Sequence, residues 1–305
     1  MISWTGSNKP LGKIGLVGCG RMGKCMLESM KNNGYEVVAY DKFPAAAEAA
    51  KTMGAEVVVT PRELAGCTDV ILMSLPGPVQ LEEVVFGEEG LIHSLTSDHV
   101  VIDTSTVDPD TTRSIASRVA EKKGTAYLDC PILGRPSAVG KWMLPTGGNP
   151  EALEKVKPVL LTFASNAILV GESGAGNALK LLNQLMFSCI NAISSEVMAI
   201  CDYVGIDKNV FYDTVAHSSA ATVSGLFREV GKTILNNGYN TPAFTIDLLI
   251  KDAGLGLQMA KAADAPSLIA GTVQMYNEIA HAEGLGNQDT SALYKVFSQH
   301  YQKLS

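Results

Sequence analysis

Metal-site spacings are missing from this sequence. Its six cysteines, Cys19, Cys25, Cys67, Cys130, Cys189 and Cys201, include no C-x-x-C pair, and no His/Cys spacing has the form of a zinc site. They read as small buried hydrophobes, which suits a reducing compartment. Long apolar runs are missing too, since no stretch reaches the roughly 18 uncharged apolar residues of a membrane span. The nearest, "AAAEAAKTMGAEVVV", is broken by Glu48, Lys51 and Glu56. The opening "MISWTGSNKPLGK" lacks the apolar core of a signal peptide. No Lys/Arg run forms a basic stripe, and a net charge of -7 argues against a general nucleic-acid binder. These absences leave a cytoplasmic protein with no membrane or nucleic-acid partner.

What is present is the composition of a globular protein, 46% hydrophobic and 18% charged. A chain of 305 residues is long enough for two cores. The first half alternates short β-branched runs ("IGLVG", "EVVAY", "DVILMSL", "HVVIDTS", "AYLDCP") with amphipathic stretches such as "RMGKCMLESMKNNG" and "PDTTRSIASRVAEKKG". That alternation predicts βαβ units and a doubly wound parallel sheet of Rossmann type. After "AILVGESGAG" the strand signals nearly vanish. "NALKLLNQLMFSCINAISSEVMAICDYVG" reads as one long interdomain helix, apolar over much of its circumference and so expected to be buried on several sides. Further helical segments follow. We therefore expect a dinucleotide-binding domain over residues 1–172 and an all-α substrate and dimerisation domain over residues 173–305.

The segment "KIGLVGCGRMG" places Gly18, Gly20 and Gly23 directly after a strand pattern and before a helix pattern. In this context Gly18 permits a tight turn, Gly20 lets backbone approach a pyrophosphate, and Gly23 lets the helix pack on the sheet. Without a ligand the same triplet is simply a tight strand–helix turn. Asp41 ends the second strand pattern, where a carboxylate accepts hydrogen bonds from the adenosine ribose and repels a 2′-phosphate. Asp41 alone would be a strand-end turn residue. Together with the glycines it predicts NAD in preference to NADP, although Lys42 beside it would soften the repulsion.

Five segments in order resemble the β-hydroxyacid dehydrogenase family, which includes 3-hydroxyisobutyrate dehydrogenase, glyoxylate and tartronate semialdehyde reductases, sulfolactaldehyde reductase and, more distantly, 6-phosphogluconate dehydrogenase. They are "GLVGCGRMGKCMLESM", "SLPGP", "DTSTVDP", "GAGNALKLLNQ" and "LLIKDAGLGL". The resemblance implies that Arg21 and Met22 contact the pyrophosphate, that Leu75, Pro76 and Thr106 lie along the nicotinamide half, and that Lys251 reaches the cofactor from the helical domain. It implies Lys180 as catalytic acid/base. Spacing alone would make Lys180 a solvated helix lysine, but its setting, between "GESGAG" and an almost uncharged helix, favours a lowered pKa. Asn183 and Gln184, one turn on along the same face, are placed to hydrogen-bond a substrate hydroxyl. The family usually has Asn where Gln184 stands. As in relatives, a homodimer or homotetramer is expected.

The substrate loop departs from the family pattern. Relatives read Asp-Ala-Pro-Val-Ser-Gly-Gly, whereas this chain reads "DCPILGRPSAVGKW" from Asp129 to Trp142. Leu133 replaces the serine and Arg135 the second glycine. Gly134 and Arg135 become the substrate-binding candidates, since a guanidinium pairs bidentately with an anion. A surface salt bridge is the other use for Arg135. His217 reads as a helix-end histidine and Cys130 as a buried thiol. The expected activity is NAD-dependent interconversion of a small anionic 3-hydroxy acid and its aldehyde or ketone. The rivals are an imine reductase of the same architecture and a catalytically silent dinucleotide-binding sensor; Lys180 argues against both.

Overall fold

In the computed structural model, which describes residues 12–220 and 224–302, the apolar runs of the first half form strands because both faces of each are covered. The elements run β1 (Ile14–Val17), α1 (Arg21–Asn32), β2 (Val37–Tyr40), α2 (Pro44–Thr52), β3 (Glu56–Val57), α3 (Pro61–Gly66), β4 (Val70–Met73), α4 (Pro78–Phe86), β5 (Val100–Asp103), α5 (Pro109–Lys123), β6 (Ala126–Asp129), β7 (Trp142–Gly147), α6 (Pro150–Leu160) and β8 (Ala164–Gly171). Alternate residues feed two cores. Ile14, Leu16, Val70, Leu72 and Ile102 pack with Met26, Leu27 and Met30 of α1 on one face. Val17, Ile71, Met73 and Val101 pack with Leu64, Leu81 and Ile115 of α3, α4 and α5 on the other. This period of two with both faces buried is what a parallel sheet between helix layers requires.

The strand order is β3-β2-β1-β4-β5-β6-β7-β8. All pairs from β3 to β6 are parallel. The expected wholly parallel sheet is modified at one edge, where β6 and β7 pair antiparallel through Asp129 and Gly147. No α-helix lies between these two strands, and a parallel return would need a crossover of that kind. The chain doubles back instead, through a bridge between Leu133 and Met143. The βα unit β7-α6-β8 then closes the sheet with a parallel pair.

The chain divides into two compact units, one ending at Lys180 and the other beginning at Leu181. The boundary falls inside α7 (Ala175–Tyr203). The start of this helix is fastened to the sheet by Asp129, which is fully buried at the end of β6. The N–H of Gly174 donates to Asp129 Oδ1 at 2.8 Å and that of Asn177 to Oδ2 at 2.9 Å. A Cβ at Gly176 would meet the Asp129 carbonyl oxygen, and one at Gly147 would meet the Asp129 carboxylate, so both close approaches require glycine. Burial raises the Asp129 pKa, while the N–H groups of Gly174, Asn177 and Gly176 pull it back. Asn177 ties the same helix turn to the β5–α5 connection: its Oδ1 accepts from Val107 N at 3.3 Å and its Nδ2 donates to Thr112 Oγ1 at 3.1 Å.

The second unit contains the rest of α7, then α8 (Lys208–Ala216), α9 (Gly225–Leu235), α10 (Ile246–Ala262), α11 (Leu268–Ala282) and α12 (Leu293–Gln302). Its core joins Met198 and Ala199 of α7 to Val230, Ile234, Ile246, Ala280 and Val296. Here the expectation of burial on several sides of α7 is corrected. One face is covered, and it carries the buried polar residues Gln184, Ser188, Asn191 and Ser195. Leu182, Met186, Ile193 and Ile200 are exposed. Apolar composition specifies that a surface wants covering but not that the same chain covers it. By length and composition Ala175–Asp202 would span a bilayer, but half of its apolar window is buried.

The clamp at the start of α7 gives the first prediction. Asp129→Ala leaves two buried N–H groups without their acceptor and should destabilise the protein by about 2–4 kcal/mol. Asp129→Asn, which keeps one acceptor oxygen, should recover part of that. The check is the denaturant midpoint; an alanine variant as stable as wild type would mean that Asp129 does not hold the helix.

Candidate active site

β2 and β3 lie to one side of β1, and the chain then crosses to place β4 on the other. The crevice beyond the carboxyl ends of β1 and β4 is thus a topological switch point, where loops diverge and leave space. A cavity of about 550 Å³ lies here, lined by Gly18, Gly20, Tyr40, Asp41, Leu75 and Pro76 among others.

The three glycines of the turn prove to be glycines for different reasons. Gly18 has φ +92°, and a Cβ there would collide with the Ser74 carbonyl oxygen. A Cβ on Gly23 would collide with the Gly18 carbonyl oxygen. Gly20 meets nothing within 4 Å. The first and third are demanded by the fold itself. The second faces open space at the N-cap of α1, where N–H groups of the first turn lack helix partners. That arrangement fits the close approach of an anionic group such as a dinucleotide pyrophosphate. Arg21 follows on the exposed first position of α1, and Met22 packs against the core.

Asp41 stands at the rim of this turn. Its Oδ2 accepts from Cys19 N at 2.7 Å and its Oδ1 from Phe43 N at 2.8 Å, so the carboxylate is oriented by backbone on both sides. Cys19 is wholly buried, and burial pushes its thiol up to about 12, which makes it inert. Lys42, beside Asp41, is held by a carboxylate: its Nζ lies 3.0 Å from Glu83 Oε1. Glu83, Glu88 and Glu89 line the same cavity.

Leu75 and Pro76 form part of the cavity wall, and the Leu75 N–H donates to Ser105 Oγ at 2.9 Å. Thr106 is half-buried in the next loop. Behind this loop lies Asp103, fully buried, accepting from Ser105 N at 2.8 Å and Tyr127 OH at 3.0 Å. Burial raises its pKa to about 6, against the pull of those donors, and the neighbouring Asp129 adds to the rise.

Lys180 lies in the second turn of α7, half-buried, and its Nζ donates to the Ile132 carbonyl at 2.9 Å. The candidate acid/base therefore sits against the loop that carries Gly134 and Arg135. Gly134 has an internal reason to be glycine, because a Cβ would collide with the Trp142 indole. The Arg135 carbonyl accepts from Trp142 Nε1 at 2.7 Å, and its side chain is half-buried. Cys130, fully buried against Thr146, is held protonated by burial.

In the second unit Asp252 joins two of the candidate residues. Gln184 Nε2 donates to Asp252 Oδ2 at 2.8 Å, and Lys251 Nζ lies 2.8 Å from Asp252 Oδ1. Gln184 is 5% exposed, so the amide reads the protein interior. Asn183 is the exposed member of the pair, and its Nδ2 lies 3.4 Å from Gln184 Oε1. His217 caps its own helix through Asp213 O at 2.8 Å. Sequence reasoning finds no signal for Glu83, and it assigns no role to Ser105 and Asp252 although both lie inside quoted motifs. Asp129 and Asn177 lie inside quoted motifs, but only the fold reveals the clamp.

Two family models cover the chain. One, described as the NAD binding domain of 6-phosphogluconate dehydrogenase, matches residues 13–171; the other, described as NAD-binding of NADP-dependent 3-hydroxyisobutyrate dehydrogenase, matches residues 174–297. The chain is similar to 2-(hydroxymethyl)glutarate dehydrogenase of Eubacterium barkeri, at 30% identity over 94% of this chain and 95% of that one. It is similar to 3-sulfolactaldehyde reductase of Escherichia coli, at 32% identity over 92% and 94%. Among solved structures, a 3-hydroxyisobutyrate dehydrogenase from Salmonella typhimurium superposes with a TM-score of 0.85 at 29% identity, covering 94% of this chain and all of that one.

Two predictions follow from the geometry of the first unit. Gly18→Ala and Gly23→Ala should lower the thermal midpoint, whereas Gly20→Ala should fold normally and lose dinucleotide affinity by at least about tenfold, as calorimetric titration would show. A Gly20→Ala protein that binds as well as wild type would remove the pyrophosphate from this position. The second prediction concerns pH. A carboxyl with a folded pKa above its unfolded value binds more protons when folded, so its contribution falls as pH rises from about 4 to about 6. Relative to Asp103→Asn, wild type should lose on the order of 3 kcal/mol across that window. Parallel stability–pH curves for the two proteins would show that Asp103 is ionised normally.

Proposed function

The chain belongs to the β-hydroxyacid dehydrogenase family, and from that premise we propose that it interconverts a small anionic 3-hydroxy acid, or a related hydroxy-anion, and its aldehyde or ketone, with Lys180 as acid/base. The observation that carries the reading is Lys180 itself: its Nζ is fixed on the Ile132 carbonyl at the head of the loop bearing Arg135. A solvated helix lysine would have no such anchor.

A nicotinamide dinucleotide, when bound, supplies hydride acceptance or donation. On this reading Gly20, Arg21 and Met22 hold its pyrophosphate in the cofactor-binding turn that Gly18 and Gly23 shape, Asp41 its adenosine ribose, and Leu75, Pro76 and Thr106 the nicotinamide side, with Lys251 contributing from the helical unit. NAD is preferred over NADP because Asp41, Glu83, Glu88 and Glu89 line the adenosine cavity, where a 2′-phosphate would meet carboxylates. Gly134 and Arg135 bind the anionic end of the substrate, Arg135 through its guanidinium. In oxidation Lys180 Nζ takes the hydroxyl proton, and in reduction it returns a proton to the carbonyl oxygen. Asn183, exposed one turn on, meets the substrate hydroxyl. Gln184 acts through Asp252, which it holds with its amide. The exposed apolar face of α7, with Leu182, Met186 and Ile193, supports a homodimer or homotetramer.

Lys180→Ala should reduce turnover by about 100-fold or more, with NADH affinity changed little, since the lysine is assigned to proton transfer. A panel of hydroxy acids, their aldehydes and cyclic imines, assayed with NADH and NADPH, supplies the substrate for that comparison. Near-wild-type turnover in the variant would overturn the assignment.

A further inference from the structure

We propose that Glu83 sets the cofactor preference of this protein by engaging Lys42, the cation that would otherwise pair with a 2′-phosphate. The inference rests on the dinucleotide reading of the Gly18–Asp41 cavity and adds to it a residue from a different element.

Among the described residues that line this cavity, Lys42 is the only cation. It follows Asp41, the residue assigned to the ribose hydroxyls. A basic side chain close to that acid is what accommodates a 2′-phosphate in NADP-binding relatives of this architecture. Asp41 is a carboxylate oriented by the N–H groups of Cys19 and Phe43, and how strongly it repels a 2′-phosphate depends on whether a cation stands free beside it. The disposition of Lys42 therefore matters. Its ammonium is engaged by both oxygens of Glu83, at 3.0 Å and 3.3 Å. Glu83 projects from α4, on the far side of the β1–β4 crevice in sequence, and lines the cavity too.

The pair acts twice against a phosphate. It occupies the one ammonium available to it, and it leaves a carboxylate where the phosphate would arrive. Both partners are more than half exposed, at 68% and 58%, so the pair adds little to stability. Its effect is on selection, where small electrostatic differences decide between ligands that differ only in charge. A ligand without the 2′-phosphate leaves the pair intact and is not penalised.

The test uses the whole protein and ligands that differ only in the 2′-phosphate: 5′-AMP against 2′,5′-ADP, and NAD+ against NADP+, measured by calorimetric titration at low and high salt. In Glu83→Gln the affinity ratio of 2′,5′-ADP to 5′-AMP should rise by about five- to tenfold at low salt and by less at high salt. Lys42→Met should lower the ratio. In the Lys42→Met, Glu83→Gln double variant most of the gain should disappear, because the gain is the release of Lys42. A ratio that moves by less than about twofold in Glu83→Gln, or an equal gain with Lys42 absent, overturns the proposal while leaving the dinucleotide site standing. A wild-type protein that takes up neither NAD+ nor 5′-AMP overturns both.

Discussion

The buried carboxylate of Asp129 is the constraint from which the placement of the start of α7, and of Lys180 on it, derives. A charge removed from water is costly, and here the cost is met by N–H groups at the open end of a helix, whose dipole favours a negative partner. The bond is therefore mutual: the helix start satisfies the carboxylate, and the carboxylate satisfies the helix start. Gly147 and Gly176 are glycines so that the two can come together. Because α7 begins where Asp129 ends β6, Lys180 falls a fixed distance along the helix, and its ammonium meets Ile132, three residues beyond Asp129 in the same segment. One short stretch of chain thus positions both the helix and the lysine on it.

The same logic of satisfied and unsatisfied groups separates structure from recognition in the glycine turn. Gly18 and Gly23 are explained by carbonyl oxygens of their own fold, and Gly20 by none. A residue whose identity the protein interior does not require, at a helix N-terminus and on the wall of a cavity, is where a ligand's demands are visible. Asp41 shows the converse. Its carboxylate is already oriented by two backbone N–H groups, so it presents a preorganised acceptor instead of a mobile one.

How much was legible beforehand follows from which signals are local. β1, β2, β4, β5 and β6 were readable because each is a run of β-branched or apolar residues buried almost throughout. β3 is two residues long and offers no pattern, and β7 carries a proline, Pro145, that marks an ordinary strand poorly. The glycines and Asp41 announced themselves by spacing. Glu83 and Asp252 could not: each is one of two acids on its helix, and what singles it out is a partner in another element, Lys42 in one case and Gln184 in the other. The face of α7 was misjudged for a related reason. Its apolar surface is real, but the face this chain buries mixes Leu181, Ala192, Met198 and Ala199 with the polar Gln184, Ser188, Asn191 and Ser195, while Leu182, Met186 and Ile193 stay exposed.

The atypical substrate loop gains a physical explanation through Trp142. This side chain is fully buried, stacked edge-on against Phe163, and its indole presses on Gly134 while donating to the Arg135 carbonyl. Leu133 is committed to the bridge with Met143. The loop is thus held from beneath by an aromatic anchor and a backbone bridge, and it carries two cations, the half-buried Arg135 and the exposed Lys141 beside Trp142. A serine hydroxyl recognises an anion as one neutral donor. A guanidinium is a charged planar fork. Replacement of serine by leucine therefore need not mean loss of anion recognition. On the reading we propose, recognition moves two residues along the loop, from a hydroxyl to the Arg135 guanidinium, and suits substrates whose anionic group accepts two parallel hydrogen bonds.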